Sequence, residues 1–287
     1  MITLWPVRCD DLAFAEYVAL FAKCFPGESK FNRDFLSWLY QDNPDGQVVG
    51  FDAREGERLA AHYACIPVRA VIGGEEVKVL LSLNTATHPD YQGQGLFTQL
   101  AESTYAIAAS MGYDCVYGVA NANSTPGFIR KLGFQLVGPL QAKAGVGPLR
   151  MDMRDAKALQ FRRLWGPQSL AWRCASPANP LTARMGVDRT TFLAPALLGG
   201  LFMATAEIEN VWCSMAISTV STGGWASPLR LFLGRVPKTA QRLSLYLDIP
   251  EKFKPSPLNL IYRSLSGRVQ EIDLDAVFIN FLDFDAY

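Results

Sequence analysis

Histidine is nearly absent: the 287 residues hold only His62 and His88. A structural or catalytic zinc site would be short of ligands, so no metal is expected. Cysteine offers no substitute, because Cys9, Cys24, Cys65, Cys115, Cys174 and Cys213 lie far apart and form no C-x-x-C pair. Their mostly apolar neighbours read as the buried, reduced thiols of a cytoplasmic protein. An excess of one charge is missing too. Basic and acidic residues number 27 each, and no run of Lys or Arg occurs. Broad nucleic-acid binding is therefore disfavoured, since that affinity comes mainly from neutralising phosphates. No apolar run suits a membrane span either. The uncharged segment between Arg189 and Glu207 is broken by Pro195 and Gly199-Gly200 and falls short of the roughly 20 residues a span requires, so it reads as a buried element. Residues 1–11 have no basic stretch followed by an apolar one, and no signal peptide is expected.

Apolar residues make up 49% of the chain, enough for one large core or two modest ones. Asp10 or Asp11 suits the cap of a helix with Leu12, Ala15, Ala19 and Ala22 on its apolar face, ended by Phe25-Pro26-Gly27. A second helix is expected over 32–40, up to Asn43-Pro44-Asp45-Gly46. Strands follow over 48–53, 59–65 and 68–72, and Gly73-Gly74 marks a hairpin into a long strand ending at Thr87.

That last strand leads into the richest stretch of the sequence. After Thr87-His88-Pro89 comes the glycine-broken turn Gln92-Gly93-Gln94-Gly95, then an amphipathic helix over 96–110. Glycines reach backbone conformations closed to other residues, and a helix start presents unpaired N–H groups and the positive end of its dipole. The order makes a cup for a phosphate-bearing cofactor. A P-loop would need Lys-Ser/Thr after its last glycine, whereas Leu96-Phe97 stands there. A dinucleotide fingerprint would need a third small residue where Thr98 stands. Downstream come a buried strand, Cys115-Val116-Tyr117-Gly118-Val119, the polar loop from Asn121 to Ser124, and a short helix closed by Lys131-Leu132-Gly133-Phe134. Gly133 also has a plain structural use as a left-handed helix terminator.

Taken jointly, the Gln92-to-Gly95 turn, the Asn loop and the Leu-Gly-Phe closure resemble motifs A and B of the GNAT superfamily, the acyl-CoA-dependent N-acyltransferases. Motif A is written Q/R-x-x-G-x-G/A. The resemblance covers the first half of the chain and implies an α/β (α+β) GNAT fold, a mixed central sheet flanked by helices, with acetyl-CoA or another acyl-CoA as cosubstrate. It implies that the strand from Asn84 through Thr85 and Ala86 to Thr87 holds the pantetheine and polarises the thioester carbonyl. Backbone N–H groups of Gln92, Gly93, Gln94, Gly95, Leu96 and Phe97 would hold the pyrophosphate, and Asn121, Asn123 and Ser124 would lie near pantetheine or acceptor.

Three positions depart from the family. Phe97 replaces the final Gly/Ala of motif A, so its side chain must turn into the core. Ile129 stands where many members carry the tyrosine that protonates the CoA thiolate, and Leu81 where some carry a glutamate base. Proton handling is therefore open. His62 titrates near neutrality in ordinary surroundings, although a lone histidine is commonly structural. Asp283 and Asp285 share one face of an expected terminal strand and are either a carboxylate pair aimed at a cleft or solvated. Asn84 suits a held water or the acceptor, and His88 suits a loop-backbone contact. Asn84, His62 and Asp285 are the catalytic candidates.

Beyond about Gly138 a Gly/Pro-rich linker with Gly145, Gly147 and Pro148 is expected, dividing the chain into 1–143 and 144–287. Trp172 followed by Asn179-Pro180 echoes Trp38 followed by Asn43-Pro44. Strands over 211–217, 229–236 and 243–249, a helix over 258–265 and two final strands repeat the GNAT order without a second glycine turn. The second part reads as a degenerate GNAT-like domain that shapes the acceptor pocket; an unrelated α+β domain is the alternative. Two-domain members with such a turn resemble N-acyltransferases of nucleotide-linked amino sugars, which makes a primary amine of that kind the expected acceptor. An aminoglycoside-like or other small amine is the second reading, and a non-catalytic acyl-CoA-sensing module the third.

Overall fold

The computed structural model describes residues 1–151, 159–212, 226–240, 245–254 and 256–284. The first half contains strand β1 (Ile2–Pro6), helices α1 (Asp11–Cys24) and α2 (Arg33–Tyr40), and strands β2 (Val49–Glu55), β3 (Arg58–Ile72) and β4 (Glu75–Thr87). Helix α3 (Leu96–Ser110), β5 (Cys115–Ala120), α4 (Thr125–Leu132) and β6 (Gln135–Pro139) follow. Strands β1 to β4 form an antiparallel meander, and β5 joins β4 in parallel.

Local chemistry explains the ends of these elements. The Asp10 carboxylate accepts from the Ala13 amide at 2.9 Å and Asn32 does the same for Phe35, each cap contributing about 1 kcal/mol. The buried face of α1 is Ala13, Phe14, Tyr17, Leu20 and Phe21, whereas the expected Leu12 is 65% exposed. Rings bury far more apolar surface than the competing alanines, so they set the helix rotation. The strands expected over 59–65 and 68–72 are one strand, β3, because helices cover both its faces. Ala64, Ile66, Val68 and Ala70 pack with α1 and α2, while Ala61, Tyr63 and Cys65 pack with α3. Pro67 interrupts nothing.

Strand β7 (Gln141–Val146) continues the first half across the division, and the second half contains β8 (Phe161–Leu164), α5 (Pro167–Cys174), β9 (Thr182–Met185), β10 (Arg189–Leu197) and β11 (Phe202–Glu209). Then come β12 (Leu229–Arg235), β13 (Tyr246–Asp248), β14 (Asn259–Ser264) and β15 (Val277–Asn280). Strands β9, β10 and β11 form a second antiparallel meander and β12 joins β11 in parallel. The fifteen strands of the described residues share one mixed sheet.

Two expectations are corrected, and a third is described only at its start. The linker near Gly145 is strand β7. A Cβ on Gly145 would stand 2.5 Å from the Leu245 carbonyl and from the Tyr246 ring, so the glycine serves close strand approach, not flexibility. The helix expected over 258–265 is strand β14. The strand expected over 211–217 begins in a 3-10 turn, Asn210–Trp212, and its remainder lies outside the described residues.

Strand β14 lies antiparallel between β5 and β6, and β7 lies antiparallel between β12 and β13. Each half thus gives one strand to the other, and the 143/144 division falls inside an exchanged strand. The echo between Trp38 and Trp172 is physical. Their rings stack at 4.5 Å, and each indole Nε1–H donates to the other's carbonyl, at 3.0 and 2.9 Å.

Candidate active site

Strands β4 and β5 pair only from Leu80 to Ser82 on β4, opposite Val116 to Gly118. Beyond Ser82 they part. A bulge drives the separation: Leu83 and Thr85 face Ala64 and Tyr63 of β3, leaving Asn84 without a register partner. Asn84 takes φ 43°, a left-handed conformation that asparagine tolerates better than most residues. The fork encloses a cleft of about 390 Å³ lined by Asn84, Thr85, Gly118, Val119, Asn121 and Phe128, among others. Backbone groups released from the ladder face this space, and a ligand can satisfy them.

At the rim the chain makes the expected turn. Gly93 and Gly95 have φ 77° and 76°. A Cβ on Gly93 would touch nothing, and one on Gly95 only Gln99 Nε2 at 3.9 Å; conformation, not space, requires glycine here. Gly95 precedes α3, whose start has no side-chain cap. The first-turn N–H groups are therefore left to an anion, where the helix dipole adds to the attraction. Phe97, in that first turn, lines the cleft and packs edge-on against Phe128 at 5.2 Å and Tyr63 at 6.1 Å. It is both wall and core, and it leaves the turn's backbone open. The residues present fit an acyl-CoA: the N–H groups of Gln92 to Phe97 could hold a pyrophosphate and the free β4 edge a pantetheine arm.

The other expected residues divide. Thr85, Asn123 and Ser124 line the cleft, whereas Ala86 is buried in the core on the α1 and α2 side and the Thr87 carbonyl accepts from Cys24 Sγ and Gln92 Nε2. Asn121 lines the cleft, but its Oδ1 accepts from the amides of Asn123 and Ser124 at 3.0 Å, which organises the approach to α4. Ile129 packs into the α3-side core, and Leu81 is buried with α1 and α2. His88 Nδ1 accepts from the Asp90 amide at 3.2 Å, the loop contact expected of it. Asp285 lies outside the described residues. Asp283 is 2% exposed and receives hydrogen bonds from Trp165 Nε1 at 2.9 Å and the Asn280 amide at 2.7 Å. It sits in the second half, not in the cleft.

His62 is fully buried and connects to the cleft indirectly. Asn84 Nδ2 donates to Tyr40 Oη at 2.9 Å, Tyr40 Oη meets His62 Nε2 at 2.8 Å, and His62 Nδ1 meets Asp52 Oδ1 at 2.7 Å. Tyr17 Oη donates to Asp52 Oδ2 at 2.8 Å and accepts from the Arg8 amide at 3.0 Å. Burial, then the Asp52 charge, raises the Tyr17 hydroxyl far above its ordinary value. Ser82, also on the cleft wall, bonds Tyr63 Oη at 2.8 Å. Tyr40, Asp52, Tyr17 and Ser82 escaped the sequence reading. Asp52 follows the apolar run Val48-Val49-Gly50-Phe51 and His62 the run Leu59-Ala60-Ala61, and they face each other across β2 and β3; a polar group set in each apolar run was the available signal.

Residues 8–137 match the family model described as Acetyltransferase (GNAT) domain. The match assigns that stretch, somewhat under half of the chain, to a GNAT acetyltransferase domain. Acetyl-CoA is the cosubstrate of that fold. The likeness in structure runs further than the sequence match. A GCN5-related N-acetyltransferase from Kribbella flavida superposes with TM-score 0.62 at 13% identity, over 93% of this chain and 72% of that one. One from Anabaena variabilis gives 0.59 at 10% identity, over 92% and 73%. Eis1 from Mycobacterium abscessus gives 0.57 at 11%, over 91% and 73%. At these identities the likeness shows a shared overall fold over most of this chain, with the GNAT domain itself matched over residues 8–137. No curated protein matches the sequence. Among the described residues no group of His, Cys, Asp and Glu could hold a metal ion, and no helix is long and apolar enough to cross a membrane.

Proposed function

We propose that this GNAT enzyme moves an acetyl or short acyl group from acyl-CoA to a primary amine by direct attack in a ternary complex. The observation that carries this reading is the fork between β4 and β5, opening beside an uncapped helix start with two left-handed glycines. Acyl-CoA supplies an activated thioester carbonyl. The amine nitrogen forms the new C–N bond as the C–S bond breaks; its surplus proton leaves to solvent, and the sulfur departs as free thiol after taking one proton. The free β4 edge next to Asn84 orients the acyl carbonyl and donates to its oxygen as charge develops there. With no carboxylate at Leu81 and no hydroxyl at Ile129, holding the two reactants together supplies most of the rate.

The division into 1–143, which holds the acyl-CoA, and 144–287, which shapes the acceptor pocket, belongs to this proposal, as does a tandem GNAT origin. The reciprocal strands and the paired Trp38 and Trp172 support the latter. A nucleotide-linked amino sugar is the proposed acceptor. One observation favours a second reading, an amine with an apolar group. A cavity of about 440 Å³ is lined by Leu140, Leu233, Ile249, Phe253, Pro257 and Leu258, among others. Its Ser256 accepts from the Ala122 amide at 3.2 Å, next to the cleft wall. The test is release of CoA thiol from acetyl-CoA with nucleotide-linked amino sugars, aminoglycosides and alkyl- or arylamines as separate acceptors. Turnover restricted to one class assigns the acceptor. Specific acetyl-CoA binding without turnover across all three would replace the enzyme reading with an acyl-CoA sensor.

A further inference from the structure

The buried groups beneath Asn84 form a chain with one direction. The Asn84 Nδ2 can only donate, so Tyr40 Oη accepts from it and must spend its own proton on its remaining partner, His62 Nε2. Nε2 is then the unprotonated nitrogen, and the proton on Nδ1 points to Asp52 Oδ1. Asp52 accepts on its other oxygen from Tyr17. Every donor in the series aims at one carboxylate, and such a chain polarises itself.

We propose that Tyr40, His62 and Asp52 are positioning residues that lock the Asn84 carboxamide with Nδ2 inward and Oδ1 toward the cleft, where it accepts an N–H of the attacking amine. This rests on the acyl-transfer reading. Two features make the lock effective. His62 and Asp52 are 0% and 1% exposed, so water does not compete for the chain. The His62 imidazole is boxed by the rings of Tyr17, Phe21 and Tyr40, with centroids at 4.4, 5.5 and 5.7 Å, which leaves it one orientation. Asn84 itself is the bulged residue just beyond the point where β4 leaves β5, so it borders the cleft at the free edge of β4. An Oδ1 fixed there draws one amine N–H to itself and turns the nitrogen lone pair toward the carbonyl. A carboxamide takes up no proton at neutral pH, so Asn84 orients the amine without acting as its base.

The alternative polarity is defined as sharply. An imidazolium would donate from both nitrogens, Tyr40 would donate to a flipped Asn84 Oδ1, and Nδ2 would face the cleft. Amide orientation follows from the network around it, so the histidine proton decides. The first test is a long-range proton–nitrogen NMR spectrum of protein labelled with nitrogen-15 in histidine. Only two residues report, and Y40F identifies His62. The expected result is a neutral ring protonated on Nδ1, with an Nε2 signal that moves in Y40F toward that of an unbonded acceptor. A proton on Nε2, alone or with Nδ1, would overturn the proposal. The second test is kinetic, with the amine found to turn over. Y40F should lower kcat by about tenfold or more and leave the acetyl-CoA KM unchanged. N84A should lower kcat at least as much, and Y40F should add almost nothing to N84A. Equal, additive losses would mean that Tyr40 supports the fold without acting through Asn84. If no amine turns over, the acyl-transfer reading falls, while the histidine spectrum still decides the polarity of the chain.

Discussion

Two pairs of parallel strands part in this molecule, β4 from β5 and β11 from β12, and the two partings end differently. On its outer edge each second strand is closed by an exchanged strand, β14 or β7. On the inner edge, β4 and β5 leave a cleft of about 390 Å³. Strands β11 and β12 pair through Ala204 and Leu231, and then β15 takes over the edge of β12 at Gly234 and Arg235. The turn Phe281–Asp283 wedges between them, with Phe281 and Leu282 packed on Ala204, Ala206 and Ile208 of β11. A capping box closes the wedge: the Asn280 side chain accepts from the turn while Asp283 accepts from the Asn280 amide. One fork is an open cleft and the other a filled core. Parting of two parallel strands does not by itself leave a cleft; the segment that occupies the gap decides.

The comparison breaks most visibly at Gly95. Gly95→Val places a β-branched residue at φ 76°, a strain of about 1–3 kcal/mol at the backbone proposed to hold the pyrophosphate. Acetyl-CoA affinity should fall by about tenfold to a hundredfold, measured by calorimetry, with the unfolding midpoint lowered as well. Unchanged affinity would move the cofactor away from this turn.

The filled fork is sharpened by pH. Burial, opposed by Arg163, the Asn280 amide and Trp165, pushes the Asp283 carboxyl up from 3.8 to about 6. The folded protein thus favours the neutral acid. This contribution to stability is full below about pH 3.8 and is lost as the pH rises through about 6, a change of about 3 kcal/mol. The difference in urea unfolding free energy between the wild type and D283N should show that slope between pH 4 and 7. A flat difference would mean that Asp283 is ionised throughout and the wedge is held by charge pairing.

A smaller effect tests the near-equivalence of the halves. Trp38→Phe and Trp172→Phe each delete one indole donor to a buried carbonyl. Each should cost about 1–2 kcal/mol, equal within error by chemical denaturation. Losses differing by more than that would make the resemblance between the two helices superficial.

Much of this arrangement was legible in local chemistry. Asp10 and Asn32 announce their helices, and the glycines at 93 and 95 announce the turn, because caps and left-handed positions depend on few neighbours. The distant pairings were not legible. Leu258, Ile261, Tyr262 and Leu265 have helical spacing, yet Ile261 and Tyr262 belong to a strand buried between β5 and β6, with Leu258 and Leu265 just outside its ends, and a short apolar run does not distinguish the two. Asp283 looked like half of a carboxylate pair on an alternating strand, when Asn280 and Asp283 at a spacing of three were a cap. The chain from Asn84 to Asp52 joins four elements, and only the pairing of β2 with β3 brings Asp52 to His62.

The most direct measurement is a calorimetric titration of the full chain with acetyl-CoA, in the wild type, Gly95→Val and D283N. One site per chain is expected, weakened by Gly95→Val and retained in D283N at pH 7. Two equivalent sites, or a single site lost in D283N and untouched by Gly95→Val, would contradict the assignment of the open fork as the acyl-CoA site.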